Sequence, residues 1–171
     1  LVMLEKWRAS LDKGGSSGVL LTDLSKAFDC LAHDLLIAKV EAYGFDYNSI
    51  KLLHSYLTNR RQRVRINSNY STWSEIISGV PQGSILGPLL FNIYINDVFY
   101  FINGENLTNY ADDSTPYVTG NCLECSLTKL EKDTHTLIEW FSNNYLIINP
   151  DKCHLLVPKH TDEAYIKIKD K

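Results

Sequence analysis

Two adjacent carboxylates stand in the middle of the sequence, in the stretch Asn109-Tyr110-Ala111-Asp112-Asp113. β-prone residues precede them, and a second β-prone run, Ser114 to Val118, follows. Two such runs around a short polar turn predict a β-hairpin. Like charges at its tip repel each other unless a cation lies between them, and divalent ions favour carboxylate oxygens. The stretch therefore indicates a metal site, although an Asp-Asp pair most often only begins a turn.

A second carboxylate ends an apolar run far upstream, at Val19-Leu20-Leu21-Thr22-Asp23. A short continuous apolar run is consistent with a buried β-strand. Asp23 and Asp112 are so distant in sequence that only the folded chain can bring them together. We expect that it does, and that the two acidic stretches share one site.

Length and composition limit the class of protein. With 171 residues, 44% hydrophobic and 22% charged, the chain is expected to form one globular domain with a core. It has no apolar run of about 18 residues to cross a membrane, and charged residues occupy its first positions, where a signal peptide is apolar. We expect an intracellular protein, in cytoplasm and nucleus, that is not secreted. It begins without methionine, so we also expect a piece of a longer protein.

The net charge of −3 argues against a purely electrostatic nucleic-acid binder. One patch of the sequence is nevertheless strongly basic. Its arginines are Arg60, Arg61, Arg63 and Arg65. Charged and apolar residues alternate here, which predicts a half-exposed strand that pairs with a strand from Tyr70 to Ile77. The arginines are expected to contact nucleic-acid phosphates, the alternative being an ordinary solvated strand face.

Cysteines give a weaker signal. Cys122 and Cys125 have the spacing of a zinc-binding pair, but a four-ligand site would also need Cys153 and either the adjacent His154 or the distant His160. Adjacent residues rarely point at one metal. Ordinary surface or core cysteines, reduced in an intracellular protein, are the favoured interpretation.

Apolar periodicity predicts helices over 2–12, 34–43, 48–57, 87–101 and 122–144. The helix over 87–101 is apolar on most sides, and is expected to lie buried beneath the sheet and to end at Asn103-Gly104. Two short strands, Tyr145 to Ile148 and Cys153 to Val157, are predicted to flank a turn at Asn149-Pro150-Asp151-Lys152.

A glycine-rich loop, Ser78 to Asn92, leads into the apolar helix. Glycines around Gln82 and Ser84 allow the backbone to approach a ligand, and a glutamine can hydrogen-bond a base or sugar. Pro88 suits the first turn of the helix. Without further context, a tight helix-entry loop is the simpler interpretation.

Taken in order, these motifs closely resemble the palm of reverse transcriptases, in particular those of non-LTR retrotransposons. Val19 to Asp29 is similar to the family's first carboxylate motif, Ser78 to Asn92 to its Gly-Val-Pro-Gln-Gly-Ser motif, Tyr110 to Asp113 to its Tyr-X-Asp-Asp box, and Trp140 to Lys152 to the following motif. The resemblance implies an α/β (α+β) polymerase palm, an antiparallel sheet of about four strands packed on helices, with part of the fingers. It assigns residues 1–157 to this palm and 158–171 to the start of a following segment, without the thumb.

The resemblance also implies a role for each site residue. Asp23 and Asp112 would be the main metal ligands, assisted by Asp113, for two Mg²⁺ ions or, as an alternative, Mn²⁺. Lys152 would lie near the leaving phosphates, and Phe28 under the incoming sugar. Leu24, Gln82 and Gly83 would bind the nucleotide, and Tyr110 would contact the nucleic acid. The arginines described above (Arg60, Arg61, Arg63 and Arg65) would contact the nucleic acid as well.

The implied activity is that of an RNA-directed DNA polymerase, a nucleotidyltransferase of a transposable element. Its partners would be an RNA template, a DNA primer, deoxynucleoside triphosphates and further domains (fingers, thumb and, in an intact element, an endonuclease), with no membrane partner. Two alternatives remain: a catalytically inactive, domesticated palm that only binds RNA, and another palm-type polymerase. Because most of the fingers and the thumb are expected to be missing, residues 1–171 alone are expected to extend a primer little or not at all.

Overall fold

The structure, a computed structural model, describes residues 2–102, 106–158 and 166. Its α-helices are α1 (Val2–Asp12), α2 (His33–Ala42), α3 (Tyr47–Leu57), α4 (Leu86–Ile95), α5 (Val98–Phe101) and α6 (Leu123–Asn143). Its strands are β1 (Ser16–Leu21), β2 (Arg61–Gln62), β3 (Arg65–Ile66), β4 (Asn69–Tyr70), β5 (Ser74–Glu75), β6 (Leu107–Tyr110), β7 (Asp113–Gly120) and β8 (His154–Leu156). None of the helices in the described residues is both long and apolar enough to span a membrane.

The chain divides into two compact units. The sheet unit consists of Leu1–Ser25 and Asp97–Lys171, as far as these ranges are described, and the helical unit is Lys26–Asn96.

The sheet unit is built on an antiparallel sheet in the order β6-β7-β1-β8. Helix α6 packs on one face, where Leu130 meets Leu20 of β1 and Val118 of β7 in a buried cluster. Gly18 permits this approach, because a Cβ there would lie 3.3 Å from the side chains of Leu127 and Leu130. The predicted α+β class and the predicted four-stranded antiparallel sheet are confirmed.

The helical unit packs α2 against α3 and α4. Leu36, Val40, Leu57 and Phe91 are fully buried in its core. Lys39 is buried with them, where its Nζ donates a hydrogen bond to the carbonyl oxygen of Tyr94 at 2.8 Å. A buried ammonium needs such a partner to offset the loss of hydration.

The long helix predicted over 87–101 is wrong. The structure has two helices, α4 and α5, and the division between the units falls at Asn96 and Asp97. Both residue types hydrogen-bond neighbouring backbone and so favour turns over helix interiors. Nor is this segment uniformly buried, since Leu89 and Phe101 are more than half exposed. The predicted end at Asn103-Gly104 lies outside the described residues.

The strand predicted from Tyr145 to Ile148 is also wrong. Tyr145 has a φ of +58°, in the left-handed region that strands do not use, and Ile148 makes only an isolated bridge to Leu24. The β-prone residues follow the end of α6 directly, and the chain is still turning there. The predicted turn after them is confirmed as a short 3-10 helix, Pro150–Lys152.

Candidate active site

The acidic hairpin is confirmed. Strands β6 and β7 pair up to Tyr110 and Asp113, which leaves Ala111 and Asp112 as a two-residue connection. Ala111 has a φ of +52°, a conformation that disfavours residues with a Cβ. Strain of this kind persists where the surrounding structure fixes it, and such residues cluster at functional sites.

The sheet brings Asp23 to the same place. Val19 pairs with Tyr117, and the antiparallel register continues to an isolated bridge between Thr22 and Ser114. Thr22 fixes this bridge with two hydrogen bonds to the Ser114 carbonyl oxygen, from its N–H at 3.2 Å and its Oγ1 at 2.6 Å. One step further along this register, Asp23 lies across from Asp113. The three predicted carboxylates therefore occupy adjoining positions at one end of the sheet.

Lys152 lies beside Asp23, with 3.3 Å between its Nζ and the Asp23 Oδ2. The backbone holds the pair, because the Asn149 N–H donates to the Asp23 carbonyl oxygen at 2.9 Å. Both side chains remain partly accessible, at 65% for Lys152 and 30% for Asp23. The ion pair is therefore a weak, solvent-screened contact that a stronger ligand can replace.

Cys153 follows Lys152 and faces inward. Its Sγ donates a hydrogen bond to the Asn149 carbonyl oxygen at 3.3 Å. Burial raises the pKa of this thiol, so it stays protonated at neutral pH and keeps that hydrogen bond. Its role is to anchor the turn that carries Lys152.

A shallow cleft of about 310 Å³ opens on the sheet face that α6 leaves uncovered. Its lining consists of Leu21, Thr22, Thr108, Tyr110, Asp113 and Thr115. Tyr110 stands at its edge with 82% of its surface exposed. The cleft thus joins a carboxylate to an exposed aromatic ring.

The donor set fits a hard divalent cation, since three carboxylates supply only oxygen ligands. In the described residues, however, no group of three or more His, Cys, Asp or Glu side chains is already gathered as a metal site. The backbone places the donors side by side, while Lys152 neutralises Asp23.

Leu24 belongs to the sheet unit and is buried, bridged to Ile148. The other predicted nucleotide-binding residues belong to the helical unit. Phe28 lies in a short 3-10 helix, Ala27–Asp29, and its ring packs on Phe91 with 4.7 Å between centroids. Its side chain is only partly buried.

Gln82 is oriented by a residue that the sequence did not single out. Its Nε2 donates a hydrogen bond to the Asp29 Oδ1 at 2.9 Å. Gly79 allows this approach, because a Cβ there would lie 2.7 Å from the Asp29 backbone, and its φ is +79°. Gly83 also has a φ of +79°. In the sequence, the only indication of such a role was that Asp29 directly follows Phe28.

The half-exposed strand predicted to carry the four arginines is not continuous. That strand is interrupted between β2 and β3, and its partner between β4 and β5. Arg61 pairs with Glu75 at 3.3 Å, and the Arg65 Nε donates to the Asn67 carbonyl oxygen at 3.0 Å. Arg63 stacks on two aromatic rings, and the Arg60 Nη1 is buried without a hydrogen-bond partner among the described residues. The four side chains thus have four different environments.

Comparison with known proteins agrees with this arrangement. Residues 3–165 match the family described as reverse transcriptase (RNA-dependent DNA polymerase). The chain belongs to this family. The predicted resemblance is therefore confirmed, and members of the family use divalent metal ions.

Two relatives are transposon proteins of Drosophila melanogaster. The probable RNA-directed DNA polymerase from transposon BS is 35% identical, over 76% of this chain and 15% of the relative. That from transposon X-element is 30% identical, over 86% of this chain and 17% of the relative. The chain thus spans less than a fifth of the length of either reverse transcriptase relative.

A solved structure supports the fold. The apo telomerase of Candida tropicalis, truncated from its C-terminal domain, superimposes with a TM-score of 0.69 at 15% identity. The match covers 94% of this chain and 35% of that one. The reverse transcriptase chain therefore has the palm-type polymerase fold that the sequence predicted.

Proposed function

We propose that this chain is the catalytic core of an RNA-directed DNA polymerase, which adds deoxynucleotides to a primer 3′-hydroxyl as directed by an RNA template. The observation that carries the proposal is the placement of Asp23 across from Asp113 by the β1–β7 register, next to Asp112 in the hairpin turn. Family membership over 3–165 supports it.

Asp23 and Asp112 would hold two Mg²⁺ ions, with Asp113 assisting and Mn²⁺ as an alternative. When bound, two such ions stabilise both the attacking and the leaving oxygen of an in-line phosphoryl transfer. The protein needs no nucleophile of its own, because the primer supplies it. The carboxylates would hold the two cations close together, because their negative charge offsets the repulsion between the ions.

Lys152 acts at the other end of the reaction. Its ammonium pairs with Asp23 at 3.3 Å. Because this contact is weak and solvent-screened, Lys152 would also be able to reach the leaving phosphates and stabilise their negative charge. Tyr110, exposed beside the cleft, contributes a face for the nucleic acid.

Leu24, Phe28, Gln82 and Gly83 are proposed to bind the nucleotide. The Phe28 ring would exclude a 2′-hydroxyl. The hydrogen bond from Gln82 to Asp29 fixes the amide of Gln82, and its carbonyl oxygen is left as an acceptor for base or sugar. The RNA template, the DNA primer and the fingers, thumb and endonuclease of a longer protein are proposed as partners.

The test is primer extension by the complete protein carrying Asp112→Asn. We expect extension on a primed RNA template to be abolished while RNA binding is retained, because the substitution removes a ligand charge without changing the shape. Asp34→Asn, an exposed acid on α2, is the matched control and is expected to extend normally.

Normal extension by Asp112→Asn at saturating Mg²⁺ would remove Asp112 from the mechanism. A wild-type protein that binds RNA and extends nothing would instead identify an inactive palm. Efficient use of ribonucleotides by the wild type would identify another palm-type polymerase.

A further inference from the structure

The hairpin of residues 61–75 has a bulge at its centre. Arg61 pairs with Glu75 and Gln62 with Ser74, whereas beyond the bulge Arg65 pairs with Tyr70 and the Ser71 N–H bonds to Val64. Two residues, Thr72 and Trp73, therefore lie opposite Arg63 alone. A bulge of this kind twists the strand and redirects the side chains beside it.

The redirected side chains form one stack. The Arg63 guanidinium carbon lies 4.0 Å from the centroid of the Tyr70 ring and 4.6 Å from that of the Trp73 ring. Arg65 approaches the same Tyr70 ring at 5.5 Å. We call Arg63, Tyr70 and Trp73 the stacked triad.

The triad is accessible although its members touch each other. Trp73 is 58% exposed and Tyr70 50%. Exposed tryptophan is unusual, since this residue is highly buried on average. Cation–π contacts hold the rings in place, so that a ligand would find them already ordered.

Charge selects the class of ligand. Between residues 60 and 77 the chain has four arginines and a single acid, Glu75, in a protein of net charge −3. Glu75 is paired with Arg61. A surface that is both cationic and aromatic fits a polyanion with flat, unpaired rings, which is single-stranded nucleic acid.

We propose that the stacked triad is a platform on which unpaired bases of single-stranded RNA stack, while the neighbouring arginines contact its phosphates. In a duplex the faces of the bases are covered by neighbouring base pairs. The platform is therefore expected to bind unpaired template more tightly than paired template. The inference rests on the proposed function, which makes RNA the template, and it assigns Tyr70 and Trp73 a role that sequence reasoning missed. The available signal was a hairpin with arginines on its first strand and aromatic residues on its second.

The experiment compares two probes without metal or nucleotides: an oligouridine of about twelve nucleotides and an abasic strand of equal length. Trp73→Ala in the 171-residue chain is expected to weaken binding of oligouridine about tenfold, and to leave binding of the abasic strand within about twofold. Trp73→Phe should restore most of the loss. Tyr47→Ala, at a still more exposed ring on α3, is the control and should change neither affinity.

Intrinsic fluorescence gives a second readout. The other two tryptophans, Trp7 and Trp140, are more buried than Trp73. Oligouridine is expected to quench the wild-type emission, and this quenching should be lost in Trp73→Phe.

Equal losses for both probes, or none, would overturn the proposal. So would a change of oligomeric state in Trp73→Ala with RNA binding intact, because the triad would then be a protein interface. These outcomes are independent of primer extension: a chain that extends nothing can still bind through the triad, and loss of the platform leaves the test of Asp112 unaffected.

Discussion

At the scale of single residues, the contact with Lys152 limits how easily a cation reaches the Asp23 carboxylate. Its ammonium occupies the approach to one carboxylate oxygen, so a cation entering the site has to displace it. An exposed ion pair contributes little to folding, typically about 0–1 kcal/mol. The contact therefore matters more for the charge of the site than for stability.

We predict that Lys152→Ala strengthens binding of Mn²⁺ by about threefold or more, because a nearby positive charge no longer repels the ion. The free energy of unfolding should change by less than about 1 kcal/mol. Titration with Mn²⁺ followed by electron paramagnetic resonance measures the affinity, and Lys51→Ala is the control at an exposed lysine on α3. Equal affinities of both variants and wild type would show that Lys152 does not compete with a metal ion for Asp23.

We propose that Phe28 discriminates between deoxyribonucleotides and ribonucleotides. A ring beside the 2′ carbon excludes a hydroxyl, which is the feature that separates the two substrates. In the complete protein, Phe28→Val is expected to raise ribonucleotide over deoxyribonucleotide incorporation by about tenfold or more, a change of about 1.4 kcal/mol in relative barrier. The efficiencies are measured for both nucleotides on one primed template.

The contact between Phe28 and Phe91 supplies the control. Phe91 is fully buried, so Phe91→Leu should cost stability while leaving the nucleotide preference unchanged. If Phe28→Val behaves in the same way, its ring is a core residue and the sugar is selected elsewhere.

At the scale of elements, α6 packs on the sheet but also buries a carboxyl group that opposes folding when it is ionised. Asp133 lies on this helix with its Oδ2 buried, and that atom has no hydrogen-bond partner in the described part of the chain. Burial raises the pKa of Asp133, and the charges of Lys129 and Lys132 offset only part of the effect. A carboxyl whose folded pKa is raised favours folding while protonated and opposes it once ionised.

We therefore predict that the wild type loses stability relative to Asp133→Asn as pH rises from about 4 to about 7. Urea unfolding at several pH values measures the difference. Asp133→Ala, which also removes the charge, should show the same trend. A difference that does not vary with pH would mean that solvent reaches the carboxylate.

Elements with a clear periodicity were predictable from the sequence, and those shaped by distant contacts were not. The alternation around Asp112 and the long apolar stripe of α6 identify their elements locally. The break between α4 and α5 was missed because the apolar pattern resumes directly after Asn96 and Asp97, although both residue types favour turns. The bulge opposite Arg63 was equally hidden, because a bulge depends on how two strands pair rather than on either strand alone.

The candidate site shows the same division. The three carboxylates were predicted because each ends or turns a strand, and the sheet register places them at adjoining backbone positions. The contact between Gln82 and Asp29, and the stack of Tyr70 and Trp73 on Arg63, depend on side-chain directions that a sequence does not display. Resemblance to a family supplied roles for individual residues, whereas physical reasoning supplied only the class of chemistry.

At the scale of the whole molecule, charge is distributed unevenly. The helical unit has seven lysines and arginines against five acids, while the protein as a whole has 17 against 20. The excess of acid thus belongs to the sheet unit, which contains the three site carboxylates. We therefore expect a polyanion to bind the helical unit. The sheet unit should repel it until cations neutralise the site carboxylates.

This distribution predicts weak, salt-sensitive binding of single-stranded RNA by the 171-residue chain, with little or no primer extension. The logarithm of the binding constant falls with that of the salt concentration, by about 0.7 for each phosphate contact. Replacing Arg61 and Arg65 by alanine should therefore lower the affinity for all sequences alike, and reduce the slope by up to about 1.4.

Lys129→Ala with Lys132→Ala removes the same charge from α6 in the sheet unit and is the matched control. If only long-range charge mattered, the two double variants would change the slope equally. A reduced slope in the arginine variant alone localises the phosphate contacts to the hairpin, because counterions are released only where phosphates are neutralised. Robust extension by the 171-residue chain would contradict the other half of the prediction, and would show that these residues grip primer and template unaided.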